Sequence, residues 1–140
     1  MARESVRSVG AGGDPELSDH ELAVNEVRLR GRLAVEPEAR ALPSGDVVVA
    51  CRLVVDRRPV RTSGPGSNVR VDTLDCAAFT ADARRKLLRW GPGDIIEIQG
   101  SLRRRFFRTG GGAASRYEVE VRAVTRVMTA AEAARATMSG

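Results

Sequence analysis

The feature that most constrains the fold of this chain is a change in the spacing of its apolar residues. Three segments before residue 80 alternate apolar with polar side chains, which is typical of strands with one buried face. Between residues 80 and 90 the spacing becomes helical, with Ala83, Leu87 and Trp90 forming one stripe. Alternation returns after residue 94. The order of elements is therefore three strands, one helix and two strands.

That order predicts an all-β domain, a five-stranded OB-fold Greek-key barrel with one helix between strands 3 and 4. Within the first strand Gly31 interrupts the apolar face, which favours a bend or a close approach of another backbone. The segment PEARALPSGD at 37–46 is predicted to be a loop, as is the glycine-rich segment at 108–115. The predicted strands cover Val27–Val35, Val47–Asp56, Val69–Phe79 and Ile95–Phe107, and the fifth begins at Tyr117.

The chain divides into a folded domain and two short ends. Residues 1–23 are rich in Gly, Ser and acid and are predicted to form a flexible tail. Residues 24–127 form the predicted domain, and residues 128–140 a short helix or tail in which Thr129 and Glu132 have the spacing of a capping box. The domain carries 20 basic against 12 acidic side chains, which favours an anionic partner such as nucleic acid or, equally, solubility alone.

The two cysteines, Cys51 and Cys76, lie in apolar runs and are predicted to be buried thiols of a reduced, cytoplasmic protein. The one histidine, His20, lies in the predicted tail, so the sequence predicts no metal site and no cofactor. No signal peptide or membrane-length apolar stretch is present in the sequence.

The segment SLRRRFF at 101–107 places charge and aromatic rings side by side. If Ile98 points into the barrel, alternation directs Phe106 inward as well, where it would close the barrel end. The same alternation directs Arg103, Arg105 and Phe107 outward. Unpaired bases stack on aromatic rings while their phosphates need cations, so this face is predicted to bind single-stranded nucleic acid. Predicted contacts from elsewhere are Phe79, Arg30 and Arg32, and the loop arginines Arg57, Arg58, Arg61 and Arg70.

With those residues in view, the chain resembles the bacterial single-stranded DNA-binding proteins. The matching segments are NEVRLRGRL at 25–33, PEARALPSGDVVVACRL at 37–53, AAF at 77–79, GDIIEIQGSLRRR at 93–105 and RYEVEV at 116–121. They occur in the family's order and cover about three quarters of the chain. The resemblance implies a homo-oligomer, usually a tetramer, that binds single-stranded DNA without sequence preference and protects it in replication, recombination or repair. Such a protein is expected in the cytoplasm, associated with the nucleoid.

By position, the resemblance gives Phe79 and Phe107 the role of stacking aromatics, and Phe107 stands where a Trp is usual. It also matches Arg103 and Arg105 to basic residues of the family. Stacking on such rings contributes about 1–3 kcal/mol per base, a range that comes from single-stranded nucleic-acid-binding proteins of this same kind.

The sequence also departs from the family pattern. Thr73 stands where a Trp is usual, Asp75 where a basic residue is common, and the Trp expected after the second strand falls near Pro59. These departures predict fewer stacking contacts and weaker or shorter-site binding. The sequence ends in ATMSG, without the family's acidic, Phe-tipped end, so recruitment of repair enzymes by that route is not expected. Both features indicate a paralogue with a specialised role.

Three alternatives remain open at this point. A nuclease-like metal site would need Asp56, Asp72 and Asp75, but the last two alternate to opposite faces of a strand. An RNA-binding module is equally compatible with the residues, since nothing in them reports a contact to a 2′-hydroxyl group. In an assembly module, an exposed Phe107 would contact another protein instead of nucleic acid.

Overall fold

The computed structural model describes residues 16–58 and 70–139. Its helices and strands follow one another in the order α1 Asp19–Leu22, β1 Val27–Leu33, β2 Glu38–Ala41, β3 Val47–Asp56, β4 Val71–Ala78, α2 Ala81–Arg89, β5 Ile95–Thr109, β6 Gly112–Met128 and α3 Ala130–Ser139. The segment predicted as an N-terminal tail contains α1, a single helical turn that begins with a capping box between Ser18 and Glu21.

Five of the strands close into a barrel. The strands are ordered β1-β5-β6-β4-β3-β2, and pairing of Arg32 and Leu33 with Val54 and Leu53 joins β1 to β3 and completes the circle. Helix α2 lies between the third and fourth strands of this barrel, so the predicted OB-fold is confirmed. The prediction of a loop over 37–46 was wrong in part, because β2 lies within it and pairs with the first half of β3.

The core is built from the inward faces of the strands and one stripe of α2. Cys51 and Cys76 are both buried and lie directly opposite each other on β3 and β4, as the prediction of two buried thiols requires. Thr80 begins α2 by accepting a hydrogen bond at Oγ1 from the Ala83 amide. Leu87 of that helix is fully buried, which stabilises the fold by about 1.5–3 kcal/mol.

Two glycines allow strands to approach each other closely. A Cβ atom at Gly31 would collide with the carbonyl oxygen of Val54, which confirms the predicted close approach of another backbone. A Cβ atom at Gly100 would collide with the carbonyl oxygen of Glu120. Gly100 also lies at a register shift between β5 and β6, at the residue where the pairing of β5 with β1 ends.

Beyond Gly100 the two strands continue as an antiparallel ribbon, defined here as residues 101–109 and 112–120. At its base Val119 and Glu120 also pair with β4, and from Arg103 and Glu118 outward the ribbon has only two strands. The prediction that Phe106 closes the barrel was wrong, because Phe106 is 72% exposed and Leu102 on the same face is 45% exposed. Alternation along the strand holds, but the buried face of β5 ends at Gly100, whereas Val119 of β6, opposite Leu102, is still in the core. The predicted loop at 108–115 is shorter than expected, since only residues 110 and 111 form the turn.

Helix α3 is held to the barrel through the turn before β5. Thr129 and Glu132 form the predicted capping box, with their backbone amides donating to each other's side chains. The carboxylate of Asp94, which is buried, accepts hydrogen bonds from the amides of Gly91 and Ala130. Asp94 therefore fixes both the turn and the start of α3.

Candidate functional site

Phe79 and Phe107 line the same open groove, which has a volume of about 290 Å³. Its floor is the outward side of β3 and β4, represented by Val48, Ala50 and Ala77. Phe79 follows the last residue of β4, while Phe107 reaches the groove from the ribbon. Neither ring belongs to the packed core, and Phe107 is 40% exposed.

Each of these rings has a guanidinium group beside it. The Cζ atom of Arg105 lies 4.9 Å from the centroid of the Phe79 ring. The Cζ atom of Arg116 lies 5.3 Å from the centroid of the Phe107 ring. Both distances are within the range of cation–π attraction. The groove therefore presents flat apolar surfaces with positive charge at their edges.

Carboxylates on β6 offset part of that charge. The Nε atom of Arg105 donates to Glu118 at 2.6 Å, and the Nε atom of Arg103 donates to Glu120 at 2.9 Å. These ion pairs run diagonally across the ribbon. Arg105 lies directly opposite Arg116 and Arg103 directly opposite Glu118, so each arginine reaches the glutamate two residues further along β6. Sequence reasoning missed Arg116, Glu118 and Glu120, although extending the alternation from Tyr117 across the hairpin would have placed them on this face.

The β1 arginines lie outside the groove. Arg30 and Arg28 both donate to the carboxylate of Glu97 on β5, at 2.8 Å in each pair. Hydrogen bonds from Arg28 and Arg30 hold the pKa of Glu97 below its usual value. Arg32 is exposed on the same strand. Arg30 and Arg32 are therefore not brought together with Phe79 and Phe107.

The loop arginines lie at the other end of the β3–β4 ladder. Arg57 forms an ion pair with Asp72 at 2.8 Å, and its hydrogen bonds lower the pKa of that carboxyl group. The Arg57 amide also donates to the carbonyl of Arg70, and Arg58 is exposed beside it. This end lies about 23 Å along the strands from the Phe79 end. Arg61 lies outside the described residues.

Two of the three carboxylates considered for a metal site, Asp72 and Asp75, have arginine partners instead. Asp75 pairs with Arg52 at 3.2 Å, as Asp72 does with Arg57. Within residues 16–58 and 70–139, no group of three or more His, Cys, Asp or Glu side chains could hold a metal ion. Contact with the Cys51 thiol and burial both raise the pKa of Cys76, which leaves it a poor nucleophile.

The fold and the groove together define an OB-fold barrel with a cationic, aromatic surface on the outward side of β3 and β4. The profile of the Single-strand binding protein family matches residues 24–128, and the chain belongs to that family. A search of curated protein sequences finds no match. In the described part of the chain, no helix has both the length and the apolar character needed to cross a membrane.

Among solved structures, the chain is similar to one described as a Plasmodium falciparum SSB complex with ssDNA. The TM-score is 0.64 and the sequence identity is 19%, over 75% of this chain and 96% of that chain. At this identity the similarity concerns the fold, and it extends over nearly the whole of the other protein.

Proposed function

We propose that this protein binds single-stranded DNA without sequence preference and that the groove between Phe79 and Phe107 receives the bases. Membership of the Single-strand binding protein family supports binding of single strands. The observation that carries the proposal is that both rings line one groove and that each has a guanidinium beside it.

Unpaired bases have flat faces that stack on aromatic rings regardless of base identity, which explains the expected lack of sequence preference. Phosphates of the same strand would lie beside Arg105 and Arg116. Because Arg105 is already paired with Glu118, a phosphate there either shares the guanidinium or displaces the carboxylate. The groove face of the ribbon carries Arg103, Arg105 and Arg116 against two glutamates, so the net charge available to DNA is smaller than the number of arginines suggests.

We further propose that the protein acts as a homo-oligomer, in the form of a tetramer, and protects single strands during replication, recombination or repair in the cytoplasm. No chemical step is part of this proposal. The binding surface uses stacking and ion pairing, and the buried Cys76 and the arginine-paired Asp72 and Asp75 take no part in it.

The proposal is tested by fluorescence anisotropy with a labelled oligo(dT) of about 20 nucleotides, compared with oligo(rU) and with duplex DNA of the same length. A label is needed because Trp90, the one tryptophan, lies against Arg126 and away from the groove. We expect binding of oligo(dT) that weakens as salt is raised, and much weaker binding of the duplex, whose bases are already stacked.

Equal affinity for the duplex, or no binding of oligo(dT) at low salt, would contradict the proposal. Tighter binding of oligo(rU) than of oligo(dT) would identify an RNA-binding protein instead. A mass measurement on the free protein tests the tetramer independently of DNA binding.

A further inference from the structure

The ribbon has a second face, which points away from the groove and which the groove does not explain. This outer face is formed by Leu102, Arg104, Phe106 and Arg108 of β5 and by the residues opposite them on β6, chiefly Ser115 and Tyr117. At the base of this face Val119, opposite Leu102, is still buried in the core, and beyond that pair the side chains extend past the barrel. Phe106 is 72% exposed and Tyr117 is 59% exposed.

Arg104 lies against two aromatic rings on this face. Its Cζ atom is 5.2 Å from the centroid of Phe106 and 5.6 Å from the centroid of Tyr117. Its Nε atom donates to the hydroxyl of Ser115 at 3.2 Å, which is a neutral partner, and no described carboxylate forms an ion pair with it. The outer face thus repeats the combination of rings and guanidinium found in the groove, with both rings more exposed.

The two faces differ in their carboxylates. On the groove face, Glu118 and Glu120 pair with the arginines. On the outer face, Arg104 and Arg108 have no carboxylate on the same side of the ribbon. This follows from the sequence and the register, which place no Asp or Glu on that side. A surface with exposed rings and uncompensated positive charge is complementary to an anionic partner. Symmetric contact with a second copy of the same face would bring like charges together.

Phe106 connects the two faces. It borders the groove and also contacts Arg104 on the outer face. A strand leaving the groove past Phe107 would therefore meet Phe106 next, and then Arg104 and Tyr117. Because the ribbon is only two strands wide, a DNA strand needs to span only a short distance to pass from the groove to the outer face.

We propose that the outer face of the ribbon is a second binding surface for single-stranded DNA, on which bases stack on Tyr117 and Phe106 and a phosphate pairs with Arg104. This inference rests on the proposed function and adds that one strand passes around the ribbon and occupies both faces. The apparent affinity then depends on oligonucleotide length beyond what the groove alone requires.

The test uses the double variant Arg104→Gln/Tyr117→Ala, because neither residue lines the groove. Its control is Arg89→Gln/Leu88→Ala, which removes one charge and one exposed apolar side chain from α2. Each protein is titrated with oligo(dT) of about 8 nucleotides, within the range that one OB-fold accommodates, and of about 30 nucleotides. Thermal unfolding and mass measurements accompany each titration.

For the double variant we expect roughly 10-fold weaker binding of the long oligonucleotide and unchanged binding of the short one. For the long oligonucleotide, the slope of log affinity against log salt should be smaller in magnitude by about one, because one phosphate contact is lost. In the wild-type protein, an oligo(dT) containing 5-iododeoxyuridine should crosslink to Tyr117 when long and not when short. Mass spectrometry identifies the crosslinked peptide, and Tyr117 is the one tyrosine in the chain.

Unchanged binding of the long oligonucleotide, without a crosslink to Tyr117, would overturn the inference and leave the proposed function intact. An equal loss for both lengths would also overturn it, since the two faces would then act as one site. A lower oligomeric mass of the double variant would assign the face to a protein contact. Failure of the wild-type protein to bind either length would refute the proposed function itself.

Discussion

The guanidinium of Arg105 contacts the ring of Phe79 at 4.9 Å and the carboxylate of Glu118 at 2.6 Å at the same time. One side chain of β5 thus connects the end of β4 with β6 across the groove. The carboxylate fixes where the guanidinium lies, and it also offsets the charge that a phosphate would meet. Arg105 is therefore held in place at the cost of part of its attraction for DNA.

Removal of that carboxylate should strengthen DNA binding. Glu118→Gln keeps the shape of the side chain and removes the nearer of the two carboxylates that pair with Arg105, leaving Glu120 at 3.4 Å. We therefore expect roughly 5-fold tighter binding of oligo(dT) at low salt. The slope of log affinity against log salt should become steeper by about one, because one more counterion is released. Both quantities are measured by anisotropy titration over a range of salt concentrations.

Glu97→Gln is the matched control for Glu118→Gln. Each carboxylate side chain is 16% exposed and each pairs with arginine, but Glu97 pairs with Arg28 and Arg30 outside the groove. We expect the control to change affinity and slope much less. If the two variants behave alike, the β1 arginines contact DNA as closely as Arg105 does.

Phe107→Ala should weaken binding of oligo(dT) by about 1–3 kcal/mol, the range for loss of one stacked base in proteins of this kind. The loss should be similar for different base sequences, because every base has a flat face. Leu88→Ala, which removes another half-exposed apolar side chain but from α2, should bind as the wild type does. Wild-type affinity of Phe107→Ala would exclude this ring from the binding surface.

The sequence was sufficient to predict the barrel and the common side of Phe79 and Phe107. Both follow from the alternation of side chains along strands and from the single helical segment, which are local properties. The length of the barrel, in contrast, is not a local property of the sequence. Alternation directs Phe106 to the same side as Ile98, but only the tertiary structure shows that the buried face of β5 ends at Gly100.

The partners of the arginines could not be predicted from the sequence either. Whether Glu118 meets Arg105 depends on the register of β5 against β6, which is set by the turn at 110–111 and by the shift near Gly100. The glycine-rich composition around that turn indicates a loop without fixing its length. An error of one residue in register would have moved every carboxylate of β6 to the opposite face of the ribbon. Composition alone therefore could not show which arginines are paired with a carboxylate and which are not.

Gly100→Ala should destabilise the protein by more than about 2 kcal/mol. A Cβ atom at this position meets the backbone carbonyl of Glu120, and backbone in a paired strand cannot move aside as a flexible side chain does. Gly110→Ala is the control, because an added Cβ there has no atom within 4 Å. Chemical denaturation of both variants measures the difference, and equal stabilities would mean that β5 and β6 can separate near the bulge at no cost.

Asp94→Asn should destabilise the protein by about 1–3 kcal/mol at pH 7. Burial by itself would raise the pKa of Asp94, but hydrogen bonds from Gly91, Ala130 and Arg126 outweigh it and the pKa is lowered. A carboxyl group with a lowered pKa in the folded state stabilises the fold above its unfolded-state pKa of about 4. That contribution is lost as the pH falls through the folded-state value.

The free energies of unfolding of wild type and Asp94→Asn, measured by chemical denaturation, should therefore differ at pH 7. The difference should shrink as the pH falls from about 4 through the lowered folded-state pKa of Asp94. Asp56→Asn, at an exposed position at the end of β3, should show little difference from wild type at either pH. A gap between wild type and Asp94→Asn that stays constant down to low pH would mean that the charge of Asp94 does not stabilise the start of α3.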